Sequence, residues 1–547
     1  MYSNEVEPKS IPTHCLVTFF SKYEYPIIET SKGEDILAVK HYVFLATDGF
    51  VELPLQPDVC TNNRRKVYIF GFAGGLYRVD KKVINPALNW QDPTNWPVIQ
   101  GMKGSATIPS PLIWGEVKDR IYITLINLGM KERPDLLDFH TVHMHGAHVA
   151  TQLDGFPETS FGVPIWSMLP PNQVPDYAPP VATYYFEPDH PGTFFYHCHI
   201  EASEHVQMGM YGALIVYPSK KSLKMAGIQQ NTEGKWFVHG KMQPQIPRTA
   251  TNRNFAYNDI NTYFDSEWVM LLSDIDETWH NAVLTDDPDF NAVNYKPNFW
   301  LVNGRAFPDT LLPHPLTAPP TADPNLTQIN YETYVHVKTG DRFLLRMMNL
   351  GYQVVPWHIH GWHFTVVGKD THLSPFLKLS SLLEDKYDYD MHEAHEIHEI
   401  KNENFTVTIG SGESFDLLLI ADDKRPQYQR YILKGQDGFP SLCSQMADLR
   451  NFATAHPDLV DGSPIFDIPT EPVNCPSPNT VNYVNICAGT QGEDNFFPQF
   501  YPAHNHDDYK VTNDGTYPGG QLILMQIDAP PPDCDDSYDD GYDEDAD

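Results

Sequence analysis

Three features of this 547-residue chain predict an all-β protein built from two sandwich domains. It has 12% aromatic residues and 47 prolines, which suit short strands joined by long loops rather than helical bundles. Alternating or wholly apolar runs end in turn signals, as in Ile-Tyr-Ile-Thr-Leu-Ile (121–126) and Phe-Leu-Leu-Arg-Met-Met (343–348). The chain also contains itself twice. Asp119-Arg120 leads to Asn127-Leu128-Gly129, and Asp341-Arg342 leads to Asn349-Leu350-Gly351 at the same spacing. Each copy then carries His-x-His-Gly, Asp-Gly-Phe-Pro (154–157 and 437–440), a second His-x-His and a last apolar strand (212–217 and 520–525). A repeat of this length sets the domain count at two.

Taken in order, residues 1–40 read as an N-terminal extension with a few short strands. Residues 41–218 form the first domain. The polar, poorly periodic stretch 219–262 reads as a linker. The second domain, 263–530, is broken by a proline-rich loop at 311–328 and a long insertion at 440–500 with few strand signals. Residues 531–547 are an acidic tail. The net charge of −34 excludes a nucleic-acid partner, whose phosphates require Lys and Arg, and concentrates cations near the surface. No apolar run is long enough for a membrane span. No hydrophobic signal segment follows Met1. Of the seven cysteines, Cys443, Cys475 and Cys487 fall in the long insertion, where a disulfide is expected; Cys15, Cys60 and Cys534 are scattered.

The seventh, Cys198, lies in Tyr-His197-Cys198-His199-Ile-Glu201-Ala-Ser-Glu-His205-Val-Gln-Met-Gly-Met210. A thiolate, an imidazole and a thioether at these spacings suit one copper ion: Cys gives the short bond, His a trigonal partner and Met a weak axial contact. In an extended strand the neighbours of Cys198 point to the opposite face. His197 and His199 therefore aim together at a different centre, and one cysteine links two metal sites through its own backbone. The missing trigonal imidazole is expected at His140, three residues before the pair His143/His145. Four His-x-His pairs occur in all: His143/His145, His197/His199, His358/His360 and His504/His506.

Aligning the two copies assigns roles. Val355 falls opposite His140, Asn505 opposite Cys198, Thr512 opposite His205 and Tyr517 opposite Met210. The second copy has lost every ligand of the single-copper site yet keeps both histidine pairs. One mononuclear copper is expected in the first domain, and the eight paired histidines form a separate multi-copper cluster fed by both domains.

These motifs, across about 105–217 and 297–527, resemble the multicopper oxidases, the family of laccases and ceruloplasmin-like ferroxidases. The resemblance implies cupredoxin-like Greek-key sandwiches and four coppers per active unit. It implies type 1 ligands at His140, Cys198, His205 and Met210, and type 2 ligands at His143 and His358. It implies type 3 ligands at His145, His197, His199, His360, His504 and His506. The stretch from Cys198 to His205 is two residues longer than is usual in the family, and no other histidine lies between Cys198 and Met210. The type 1 motif comes in the first domain, inverted relative to three-domain laccases and similar to two-domain members and copper nitrite reductases. In two-domain relatives the half-clusters meet across subunits, so a homotrimer with interfacial copper clusters is expected, with a monomer as the alternative. Export to an extracellular or periplasmic location is the family's habit.

The activity implied is oxidation of a small reductant, a metal ion or a phenol, coupled to reduction of O2 to water. Electrons enter near His205 and pass through Cys198. Glu201, two residues after His199, and Asp507, next to His506, are the expected proton carriers. A copper nitrite reductase leaves the surplus histidine pairs without a use, and a non-enzymatic copper carrier does not need the complete ligand set. His392, His395 and His398 alternate with Glu393, Glu396 and Glu399, which reads first as a solvated charged face and second as an accessory metal site.

Overall fold

A computed structural model of the chain describes residues 38–58, 61–167, 173–312, 331–375, 377, 403–422, 424, 434–459, 468–469, 483–484 and 498–528. All of these lie in one compact unit, Leu37–Asp547. The histidines at 392, 395 and 398, the cysteines at 15, 60, 475, 487 and 534 and the acidic tail lie outside the described residues.

The first sandwich pairs two sheets. One contains β1 (Val39–Pro54), β2 (Arg64–Val79), β3 (Lys82–Val83), β5 (Arg120–Asn127) and β7 (Val181–Phe186), in the order β3-β2-β1-β5-β7. The other contains β4 (Ile113–Glu116), β6 (His143–His145), β8 (Gly192–His197) and β9 (Tyr211–Tyr217), in the order β4-β9-β8-β6. Two short helices, α1 (Trp96–Gly101) and α2 (Ala202–Gln207), lie in its loops. Residues 219–262, expected as a linker, are instead folded. The helix α3 (Lys220–Met225) and the small sheet β10 (Ile228–Gln230), β11 (Trp236–Val238) and β12 (Lys241–Met242) enclose a core of Leu223, Ile228, Trp236, Ile246, Phe255 and Tyr263. Short strands carry too few residues for their periodicity to stand out, which hid this piece in the sequence.

The second sandwich repeats the first. Strands β13 (Ser266–Ile275), β14 (Phe299–Val302), β16 (Arg342–Asn349), β18 (Phe364–Lys369), β19 (His372–Leu373) and β22 (Ser414–Ile420) run in the order β14-β13-β16-β22-β18-β19, with β20 (Glu403–Asn404) on β18. The helix α4 (Glu277–Thr285) joins β13 to β14. Facing them, β15 (Val335–Lys338), β17 (Val355–Ile359), β21 (Thr406–Ile409), β25 (Gln499–Asn505) and β26 (Leu522–Asp528) run β15-β26-β25-β17-β21. In the insertion, the helix α5 (Leu442–Ala455) is followed by the strand pair β23 (Ile468–Pro469) and β24 (Tyr483–Val484). The parallel pair β1/β5 recurs as β13/β16, and β4/β9 recurs as β15/β26. The all-β reading of the sequence is therefore borne out, duplication included.

The seam between the domains explains why some strands are apolar on both faces. Every residue of β9 is buried. Leu214 and Val216 face the first core, while Ala213, Ile215 and Tyr217 pack with Val269, Leu271, Leu344 and Met348 of the second domain. A strand covered on both sides reads as a continuous apolar run.

The same seam holds a buried ionic network. Arg346 of β16 is fully buried, and its Nε donates to Glu267 Oε2 at 2.6 Å. Its Nη1 donates to Thr193 Oγ1 of β8 at 3.2 Å and lies 3.7 Å from Asp416. Thr193 and Tyr257 both donate to Asp416 at 2.6 Å. Removing one member of a buried ion cluster leaves a charge without a partner. Arg346→Ala is therefore expected to cost about 3–5 kcal/mol of stability, read as a lower urea midpoint and looser seating of β8.

Candidate metal centre

Strand β8 and its extended continuation set the centre, because alternate residues face opposite ways. Phe194, Tyr196 and Cys198 enter the first core. Thr193 faces the interdomain network and Phe195 the interdomain apolar cluster. His197 and His199 emerge on that second face.

On the core side, His140 Nδ1 lies 3.8 Å and His205 Nδ1 3.4 Å from Cys198 Sγ. Met210 joins them through the backbone: the Cys198 N–H donates to the Met210 carbonyl at 3.0 Å. All four residues are at most 1% exposed. The two extra residues between Cys198 and His205 are taken up by the short helix α2, entered through Glu201 at φ 44°. The Thr141 N–H points at the sulfur from 3.5 Å, and Thr141 Oγ1 accepts the His199 N–H at 3.0 Å. Burial pushes the His140 imidazole well below its ordinary range and so keeps it neutral, with His205 adding to the effect. Burial opposes ionisation of Cys198, but the hydrogen bond and charge of His205 outweigh it and hold the thiol below its usual value.

The histidine pairs gather into two quartets. Across β6 and β8, His143 is in register with His197, and across β17 and β25, His358 is in register with His504. In the first quartet the ring centroids of His143 lie 5.1 Å from both His197 and His199, and His145 lies 5.6 Å from His143. In the second, His358 lies 4.7 Å from His360 and 5.0 Å from His506, and His360 Nε2 faces His504 Nε2 at 3.0 Å.

Four rings are oriented alike. His143 Nδ1 meets the Asp154 carbonyl at 2.8 Å, His197 the Cys198 carbonyl at 2.8 Å, His358 the Phe405 carbonyl at 2.9 Å and His504 the Asn505 carbonyl at 2.9 Å. A carbonyl only accepts, so Nδ1 carries the proton and Nε2 is left bare for a metal. Burial and neighbouring imidazoles lower His145 to about 4 and His197 to about 3. Both are therefore neutral and ligand-competent at physiological pH.

The two quartets do not touch: no hydrogen bond or ring contact joins them among the described residues. His358 of β17 pairs with the start of β21, against Phe405 and Thr406, whereas Gly412, beyond the end of β21, lies against His145. The four histidines of the first quartet are partly buried, and the second quartet is open. His360 and His506 are exposed, and His358 and His360 line an open cavity of about 670 Å³. Exposed apolar side chains rim both: Phe156, against His199, at the first, and Phe405, against His358, at the second.

The two expected proton carriers have these neighbours. The Glu201 carboxylate falls with Glu204 beside His205, all within 4.8 Å of one another, at a left-handed turn after Ile200. Asp507 is paired with the buried Lys510 at 2.9 Å. Carboxylates also stand against the quartets themselves: Asp154 Oδ1 is 3.0 Å from His143 Nδ1, and Asp508 Oδ1 is 4.0 Å from His504 Nδ1. The signal for Asp154 was the repeated Asp-Gly-Phe-Pro. The second copy does not use it this way, since Thr406 Oγ1 takes that place at His358, 2.9 Å from Nδ1. The repeated Asn-Leu-Gly also supports the centre. Asn127 Nδ2 donates to the carbonyls of Asp138 and Val163 at 2.8 and 3.0 Å, bracing the segment that carries His140. Where the second domain lacks ligands, Asn505 Nδ2 donates to Gln521 Oε1 at 2.8 Å, and Tyr517 is exposed.

The donor chemistry fits copper. A buried thiolate between two imidazole Nδ1 atoms suits a soft, trigonal site, and arrays of bare Nε2 atoms suit a cluster. Residues 85–220 match the family model described as multicopper oxidase, and thus carry a domain of that kind. No curated protein sequence matches the chain. Among solved structures it is similar to the blue copper oxidase from Nitrosomonas europaea, 18% identical over 89% of this chain and 85% of that one, with a TM-score of 0.44. It is also similar to the multicopper oxidase mgLAC, 17% identical over 93% and 91%, TM-score 0.43. A copper nitrite reductase from Nitrosomonas europaea is 15% identical over 70% and 84%, TM-score 0.35.

Replacing Cys198 by Ser is expected to abolish intense visible absorption in the copper-loaded protein while most of the copper stays bound, since the histidine quartets are intact. Absorption spectra with copper analysis check this; a variant that stays blue would remove Cys198 from the centre.

Proposed function

We propose that the chain is a copper-dependent oxidase that takes single electrons from a small reductant and passes four of them to O2, forming two waters. The observation that carries this reading is the backbone link between the two centres: Cys198, in the core, is bonded in sequence to His197 and His199 of the first quartet. When bound, copper supplies the one-electron redox steps at the cysteine site and the site of oxygen reduction at the histidine cluster, with four ions per active unit.

The rest falls to the chain's own groups. The buried His205 has its Nε2 3.9 Å from Asp138 Oδ2, and Glu201 and Glu204 stand beside the same ring. This acidic edge favours a small cationic reductant, such as Fe(II), Mn(II) or Cu(I), over a phenol. Asp154 orients His143 through both its carbonyl and its carboxylate, and that carboxylate is a group able to hold a proton at the rim of the cluster. Thr141 bridges the two sides, with its N–H on the Cys198 sulfur and its hydroxyl on the His199 N–H. Cys443 is disulfide-bonded, which fits an exported protein in an oxidising compartment.

Oxygen uptake by the copper-loaded protein with Fe(II), Mn(II), Cu(I) and phenols tests the reaction. Four electrons are expected per O2, with no peroxide released and the metal ions used best. Reduction of nitrite without oxygen uptake would favour the nitrite reductase reading instead.

Assembly follows from the separation of the quartets. Each is rimmed by an exposed apolar side chain, Phe156 or Phe405, so completing an eight-histidine cluster calls for the first quartet of one copy against the second of another. Such a head-to-tail contact must close into a ring or grow into a filament, and a homotrimeric ring is the proposed assembly. Light scattering on the copper-loaded protein is expected to give three chain masses. A monomeric mass with full oxidase activity would exclude the shared cluster.

A further inference from the structure

Outside both copper centres, a third group of metal-binding side chains stands at the seam between the domains. Asp189 Oδ1 faces His190 Nδ1 at 2.6 Å, and Asp189 Oδ2 faces His148 Nδ1 at 3.1 Å. The three donor atoms lie within 4.8 Å of one another, and the two rings are 5.2 Å apart. We propose that His148, Asp189 and His190 form a further divalent-cation site, of the kind that takes Zn2+.

Two imidazoles and a carboxylate are the donors that borderline divalent ions favour. Four-coordinate bonds of about 2.0–2.2 Å place neighbouring donors roughly 3.3 Å apart. The observed pairs, at 2.6 and 3.1 Å, need shifts of under about an ångström for an ion to replace the shared protons. The ring of His190 is already held from behind, because its Nε2 meets Thr371 Oγ1 at 2.9 Å. Metal-binding histidines are oriented in this way by a partner on the other nitrogen. An ion has a way in, since the side chains of His148 and Asp189 are 63% and 48% exposed. Burial alone would raise the Asp189 carboxyl, but hydrogen bonds from both histidines bring it down to about 2, so it is a carboxylate throughout the physiological range.

The position gives such an ion a consequence. Asp189 and His190 lead directly into β8, while Thr371 and His372 belong to the β18–β19 turn of the second domain. Gly192, the first residue of β8, approaches Thr371 so closely that a Cβ there would lie 2.8 Å from its Cα. A bound cation would tie the strand that delivers His197, Cys198 and His199 to the second domain.

The test dialyses copper-loaded protein against Zn2+ and then counts zinc and copper per chain in the wild type, Asp189→Asn and His148→Ala. The wild type is expected to retain one more zinc per chain than either variant, with equal copper and unchanged circular dichroism. Zinc should raise the melting temperature of the wild type more than that of the variants. Equal zinc retention in all three proteins would overturn the proposal, leaving a hydrogen-bonded trio without an ion. If Asp189→Asn alters the circular dichroism, the highly exposed His148→Ala decides the question.

Discussion

The two-residue alternation of β8 is the constraint on which the rest of the molecule depends. Even-numbered residues from Phe194 to Cys198 are committed to the first core, and odd-numbered ones from Thr193 to His199 to the opposite face. A slip of one residue would drive His197 and His199 into the core and turn the thiol outward. Register is therefore held from several directions. Thr193 is bonded to Asp416 and Arg346, Phe195 is packed at the domain seam and stacked on His145, and Tyr196 is buried against Phe44 and Phe72. The buried ionic network at the seam is costly to assemble, and its placement at the root of β8 suits a role in fixing that register rather than in adding net stability.

The centre's electrostatics follow from the same placement. Burial favours neutral imidazoles, and carbonyls on Nδ1 leave Nε2 bare, so the quartets are prepared for metal before any arrives. The mononuclear side is prepared differently, with a buried thiol drawn toward ionisation by His205. One short stretch of chain thus presents a soft anionic donor on one face and harder, neutral donors on the other. The second domain shows the converse. Its quartet survives, but Asn505 is bonded to Gln521 and Val355 is packed into the core, so that interior is filled by ordinary side chains.

Much of the centre was legible because its signals are local. His-x-His spacing needs only the period of a strand, and the repeat supplied an internal control that separated ligands from bystanders. Glu201 lies beside His205 for a reason that spacing does not reveal. A left-handed turn at that residue sends its carboxylate toward His205. Asp154 was visible only as part of a repeated tetrapeptide, since its partner His143 lies eleven residues away across a loop. The 219–262 stretch looked like a linker because its core is made of single residues contributed by short strands and loops.

The sequence by itself determined the all-β architecture, its duplication, the pairing of histidines and the absence from the second copy of counterparts to His140, Cys198, His205 and Met210. Each is written in strand periodicity or in comparison of the chain with itself. Only the tertiary structure decided which carboxylate faces which histidine, that Arg346 ties β8 to the second domain, and that no hydrogen bond or ring contact joins the two quartets among the described residues. Those facts depend on where loops return and how sandwiches dock, and contacts between distant segments leave no period in the sequence.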